Sequence, residues 1–150
     1  MRAVIQRVAD ARVIIEGKVK GRIGRGMVVL LGVQEGDTPE DIQWLAGKIV
    51  RLRIFEDAGG VMNLSLPETG GEILVISQFT LFASTKKGNR PSYSSAARPE
   101  TAVTLYQELV RQLAEQAGKP IQTGEFGAQM QVSLTNDGPV TILIDSRNRE

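Results

Sequence analysis

The sequence predicts an α/β domain with one mixed sheet and two main helices, and three observations carry that expectation. Runs of strand length, rich in aliphatic and β-branched residues, alternate with two segments of helical periodicity. One run, GMVVLLGV at 26–33, has the continuous aliphatic character of a strand buried on both faces. Gly and Pro stand at the junctions, as expected where elements stop. At 150 residues the chain fits one domain, 1–150, because a chain of this size buries roughly 70% of the surface it exposes when unfolded.

The elements follow in order. MRAVIQRV alternates loosely and leads into ARVIIEGKVKGRIG, two short β-rich runs joined at Glu16 and Gly17 in the manner of a hairpin. The run at 26–33 is expected to be central. Thr38 is a candidate N-cap, with Pro39 at the first helical position and Glu40 and Asp41 suited to a helix N-terminus. Ile42, Leu45, Ala46, Ile49 and Leu52 then recur at helical spacing, which predicts an amphipathic helix over 38–52. Residues 53–65 read as a hairpin around Asp57-Ala58-Gly59-Gly60, and GEILVISQFTLFA at 71–83 as a long strand. A basic loop precedes a second helix that starts at Pro99 and Glu100 and stops at Gly118 and Pro120. FGAQMQVSLT and PVTILID are expected as the last two strands.

Composition removes much of enzymology, since the chain has no histidine and no cysteine. Ser-His-Asp triads, thiolate nucleophiles, disulfides and the usual Cys/His zinc sites are excluded. Chemistry is left to hydroxyls, amides, carboxylates, Lys, Arg, backbone N–H groups and the substrate, with no cofactor or metal called for. The net charge of +1 announces no nucleic-acid partner by itself, so local clusters matter more than the total. No apolar run reaches the roughly 18 residues of a membrane span, and the first residues lack the apolar core of a signal peptide, so a cytoplasmic location is expected.

Three stretches are over-specified for packing alone. In SQFTLFA, Ser77, Gln78 and Thr80 bring polar groups into an apolar strand, where they are either satisfied by nearby backbone or meet a ligand. In TKKGNRPSY, Lys86, Lys87 and Arg90 surround Gly88 beside Tyr93; this is either a solvated loop or a grip for phosphates with a ring for a base. In NDGPVT, Asn136, Asp137 and Gly138 before Pro139 are the vocabulary of a tight turn between the last strands. Proline is normally excluded from a central strand, so the alternative is that the interruption is itself useful. Spacing does not reveal the isomer of the Gly138-Pro139 bond.

Taken together, MRAVIQRV, GMVVLLGV, LRIFED with MNLS, SQFTLFA, KGNRPSY, FGAQMQVSL and NDGPVT resemble the D-aminoacyl-tRNA deacylases of the bacterial and eukaryotic type, in order and spacing over nearly the whole chain. Gln129 is a departure, since the family more often has an acid before the Met. The resemblance implies a barrel-like sheet and a homodimer that hydrolyses the ester of tRNA mischarged with a D-amino acid or glycine. It implies that Gly138 and Pro139 form a cis pair whose carbonyls reach the partner's pocket and exclude an L side chain, with Arg7 holding them. Oxyanion stabilisation falls to N–H groups around Gln78, Phe79 and Thr80, while Ser77 and Gln78 fix the local geometry and the terminal adenosine. Thr80 remains an alternative nucleophile beside a positioned water assisted by the tRNA 2′-hydroxyl. Lys86, Lys87 and Arg90 would meet acceptor-stem phosphates, with no DNA or membrane partner. Two rival readings keep much of this: a non-selective aminoacyl-ester hydrolase, and a non-catalytic tRNA-binding or small-ligand-binding dimer.

Overall fold

Strand β1, Arg2–Ile15, organises the molecule because it pairs on both of its edges along most of its length. A computed structural model describes residues 1–150. After β1 come β2 (Lys18–Ile23), β3 (Gly26–Gly32), α1 (Pro39–Arg51), β4 (Phe55–Glu56), β5 (Met62–Leu64), α2 (Leu66–Thr69), β6 (Glu72–Ser77), α3 (Pro99–Ala117), β7 (Gln122–Thr123) and β8 (Gln131–Asp145). The main sheet runs β2-β1-β3-β6-β7, and β8 pairs with β1. Pairing is antiparallel around β1 and parallel for β3 with β6 and β6 with β7, so the sheet is mixed as expected. It curls almost into a barrel: a Cβ on Gly21 of β2 would stand 2.9 Å from the Thr123 carbonyl of β7.

Alternation along the strands explains the core. Met27, Val29 and Leu31 of β3 face Ile42, Leu45 and Ile49 of α1 and Leu109 and Leu113 of α3. Val28 points the other way, into the curl, with Val8, Ala11, Val13, Ile23, Leu74 and Ile76. Both faces of β3 are therefore buried, the central position that its unbroken aliphatic run predicts. Helix α1 begins as expected at Pro39, and the Asp41 carboxylate accepts bonds from the Thr38 N–H and hydroxyl (2.9 and 3.0 Å). No helix is long and apolar enough to cross a membrane.

Four expectations are corrected. Residues 1–8 and the run from Ala11 form one strand, which a bulge bends without breaking; the hairpin at Glu16 and Gly17 stands. The run 71–83 leaves the sheet at Ser77 and closes into a 3₁₀ turn, Phe79–Phe82. FGAQMQVSLT becomes strand only at Gln131, after a turn in which the Ala128 N–H donates to the Glu125 carbonyl. Finally, no turn separates the last two strands. β8 runs through Gly138-Pro139, and the pair is absorbed as a bulge, because β1 pairs with β8 on either side of it.

The two ends of the described chain meet over α1. The Met1 ammonium donates to Asp37 Oδ1 and Ser146 Oγ, both at 2.8 Å, and Arg147 Nε lies 3.0 Å from the same Asp37 oxygen. Asp37 also accepts the Gln34 N–H at 2.7 Å, with its side chain fully buried. Removing one partner of a buried ion pair leaves an uncompensated charge, which typically costs about 3–5 kcal/mol. Asp37→Ala is expected to lose stability on that scale in urea denaturation. A loss below about 1 kcal/mol, the range of a surface pair, would show that the latch contributes little.

Candidate functional site

The parallel strands β3 and β6 end side by side, and the chain's irregular segment starts there. The Gln78 N–H still donates to the Leu31 carbonyl (2.7 Å), as if the strand continued, before Phe79 enters the 3₁₀ turn. Arg2 holds the far side of that turn by donating to the Leu81 carbonyl (3.1 Å) and lying 4.7 Å from the centre of the Phe82 ring. Arg2 is itself fixed by Asp145 at 2.8 Å. Burial works to raise the Asp145 pKa, but the bonds from Arg2 and from the N–H groups of Arg147 and Asn148 hold it below the usual carboxylate range.

A cavity of about 960 Å³ opens beside this turn. Ser77, Gln78 and Phe79 line one wall, the start of α3 another, and the segment 126–132 a third. Most of the lining is apolar, the expected character of a small-molecule site with a few placed polar groups. Phe79 is 57% exposed at the rim and meets Tyr93 edge to face, with ring centres 5.1 Å apart. The two rings give the entrance an apolar aromatic corner.

Its ionisable groups limit the chemistry. The lining contains no carboxylate; Arg98, Tyr93 and Tyr106 are its titratable members. Burial pushes the Tyr106 phenol up to about 12, and its hydroxyl donates to the Val75 carbonyl at 3.1 Å. Tyr106 is therefore a committed donor and no base near neutrality. Thr80 does not line the cavity, and its Oγ1 accepts a bond from Gln78 Nε2 with no carboxylate or amine among its hydrogen-bond partners. Phe79 and Thr80 open a 3₁₀ turn, whose first N–H groups have no acceptor within the turn itself. The Gln78 N–H, by contrast, is spent on Leu31 and leaves the set of expected oxyanion donors.

Gly138 and Pro139 do not line this cavity. They are exposed, their peptide bond is cis, and they sit at the crest of the β8 bulge. In the ladder Gln6 pairs with Thr141 and Val8 with Asn136, which leaves Arg7 alone opposite residues 137–140. Gly138 adopts φ 127°, which L side chains rarely do, and a Cβ there would stand 3.1 Å from Arg7 Nη2. Arg7 lies beneath, 4% exposed, and donates to the Asp137 carbonyl (2.9 Å) and the Ile54 carbonyl (2.7 Å). Its contact thus falls one residue before the expected pair.

Lys86, Lys87 and Arg90 are exposed and make no ion pair, on a loop closed by mutual backbone bonds between Ser84 and Ser92 (2.8 and 2.9 Å). They lie outside the cavity lining, whereas Tyr93 at the end of the same loop is part of it. Sequence reasoning missed Arg98, Phe126 and Met130. Arg98 precedes the helix-starting Pro99 and reads as a boundary residue, and the other two read as strand; nothing local marks them as cavity walls.

The model of the family described as D-Tyr-tRNA(Tyr) deacylase matches residues 4–145. A D-aminoacyl-tRNA deacylase of Bacteroides thetaiotaomicron is 61% identical over 150 residues, the whole of both chains. One of Parabacteroides distasonis is 58% identical over the same span. Among solved structures, the c-Myc DNA Unwinding Element Binding Protein superposes with a TM-score of 0.91 at 41% identity, covering 97% of this chain and 98% of that one.

Tyr106 offers a test of the cavity floor. Because the fold favours the neutral phenol, its pKa is raised, so its contribution to stability is whole below pH 10 and lost as pH rises through about 12. Tyr93→Phe leaves Tyr106 as the only tyrosine of the two. Its phenolate absorbance is expected to appear near pH 12 together with unfolding; a midpoint near 10 in folded protein would contradict the buried hydrogen bond.

Proposed function

The chain belongs to the D-Tyr-tRNA(Tyr) deacylase family, and from that premise we propose that it hydrolyses the ester joining a D-amino acid or glycine to the 3′ end of tRNA in the cytoplasm. The observation that carries the catalytic part is a cavity with a hydroxyl, amides and backbone donors but no general base. An aminoacyl ester is already activated, so positioning and stabilisation of the developing oxyanion suffice, and each well-placed donor contributes about 3–4 kcal/mol. The N–H groups of Phe79 and Thr80 take the oxyanion, Ser77 and the Gln78 side chain hold the turn and the terminal adenosine, and water attacks with help from the RNA 2′-hydroxyl. The Phe79–Tyr93 rim suits stacking of the terminal base. Lys86, Lys87 and Arg90 meet acceptor-stem phosphates, contacts that position RNA without reading its sequence.

The selective part of the proposal is a homodimer in which each Gly138-Pro139 bulge enters the partner's cavity. Supporting it, the pair is exposed and absent from its own chain's cavity wall, and further along the same strand β8 presents Leu143 at 74% exposure. Carbonyls aimed at the substrate α-carbon then leave room for hydrogen but not for an L side chain. Glycine and D-amino acids pass for the same reason, whatever the D side chain.

Hydrolysis of D-tyrosyl-tRNA and L-tyrosyl-tRNA by the pure protein tests this reading. The D-ester is expected to be cleaved about 100-fold faster or more. Equal rates would reduce the protein to a non-selective esterase, and an intact D-ester in the presence of tRNA binding would leave only a binding protein. Thr80→Ala is expected to keep kcat within about tenfold. A fall of about 10⁴-fold, the scale of a deleted nucleophile, would make Thr80 the attacking group.

A further inference from the structure

The bulge is gripped from both sides of β1, and one of the two grips has no role in the function proposed above. Gln6 and Arg7 are neighbours on a strand, so their side chains leave opposite faces. Arg7 takes the Asp137 carbonyl from one face, while from the other Gln6 Nε2 donates to Asn136 Oδ1 at 2.9 Å. The register gives this second bond its meaning. Gln6 is paired through its backbone with Thr141, on one shoulder of the bulge, and its side chain is bonded to Asn136, on the other shoulder. The amide therefore spans the neck of the 137–140 segment.

Gln6 is half-buried, with the nitrogen of its amide on the exposed side and the oxygen on the shielded side. Gln6 Oε1 is the single buried side-chain nitrogen or oxygen in the molecule with no hydrogen-bond partner. A buried carbonyl oxygen without a donor is destabilising, and an apolar residue of similar size would avoid that cost. Glutamine thus leaves its oxygen unpaired within the chain while its nitrogen makes the bond to Asn136, a bond that an apolar residue would lose.

We propose that Gln6 and Asn136 form a neck clamp that fixes the direction of the Gly138 and Pro139 carbonyls, making both positioning residues for chiral selection. The proposal rests on the reading of the bulge as the selective element. Loosening the neck lets the carbonyls withdraw from the space an L side chain needs, while the hydrolytic cavity, to which neither residue contributes, is untouched.

Gln6→Leu roughly keeps the side-chain volume and removes the amide, and Asn136→Ala removes its partner. Each variant, folded and of wild-type oligomeric state, is expected to raise the L-to-D ratio of kcat/KM for tyrosyl-tRNA about tenfold or more, with the D-ester kcat within about threefold of wild type. The double variant should add little, since both changes break one bond. Hydrogen exchange at the Asp137, Gly138 and Val140 amides should quicken in both single variants. A merely structural role would lower D and L hydrolysis together and leave their ratio fixed, which overturns the proposal. Unchanged exchange also overturns it. If the wild type itself fails to discriminate, the selective reading of the bulge falls, while faster exchange in the variants still establishes the clamp.

Discussion

The buried guanidinium of Arg7 is the constraint around which the irregular half of the molecule is arranged. A buried cation is costly unless several acceptors surround it, and regular strands have none to spare because their carbonyls are already paired. The acceptors come from backbone that has left regular structure. Asp137 lies in the β8 bulge and Ile54 in the passage between α1 and the β4–β5 hairpin. The Asp137 carboxylate at 3.4 Å and that of Glu56 at 3.8 Å add partial neutralisation from the solvent side. The dependence is mutual. The bulge and the passage before the hairpin each present a carbonyl needing a donor, and one side chain satisfies both, tying the two segments together.

The cavity follows a similar economy with different materials. The parallel β3–β6 pair ends with one last bond, Gln78 to Leu31, after which the chain must turn without losing its anchor. A 3₁₀ turn does so tightly, and it turns the polar groups of SQFT outward from the sheet. On the proposed reading, an apolar cavity whose lining has no carboxylate serves a substrate reactive enough for placement to decide the rate. On that reading the short turn would supply backbone donors of fixed direction, and fixed dipoles need no reorganisation when charge develops.

Much of the fold was legible because its signals are local. The α1 cap lies within Thr38 to Asp41, the Glu16-Gly17 hairpin within a few residues, and the two-faced burial of β3 within its own aliphatic run. The errors share a cause of another kind. Phe79 to Phe82 have strand composition, but β3 ends at Gly32 and the next segment after Ser77 has no parallel neighbour to pair with. Gly138-Pro139 carries turn chemistry, yet β1 is long enough to pair on both sides of it and keeps the strand whole. In the site, SQF was recognisable because polar residues interrupted an apolar run. Arg98, Phe126 and Met130 were invisible, since only the curl of the sheet brings the segments that bear them to one wall. Gln6, in an alternating strand, reads as an ordinary outward-facing residue until the register places it across the neck of the bulge.

The choice of main chain for a selective surface, on the proposed reading, has a physical logic that side chains do not share. A side chain posted to exclude a methyl group or larger can leave its rotamer for a modest penalty, and a tightly held substrate can supply that energy. Carbonyls in a bulge are tied through the main chain to the ladder on both shoulders and, here, to the side-chain bond across its neck. Here the ladder is unbroken from Arg2 to Gln6 and again from Asp10 to Ile14, with Val8 paired to Asn136 between them, so displacement of Gly138 or Pro139 would strain bonds on two fronts. Arg7 adds a third restraint from below, and its burial prevents it from swinging aside. Such a surface recognises nothing about the accepted side chain, because it touches only the position that must stay empty. Breadth toward D-amino acids and rejection of L-amino acids are then two results of one rigid feature, and neither can be relaxed by repacking a pocket.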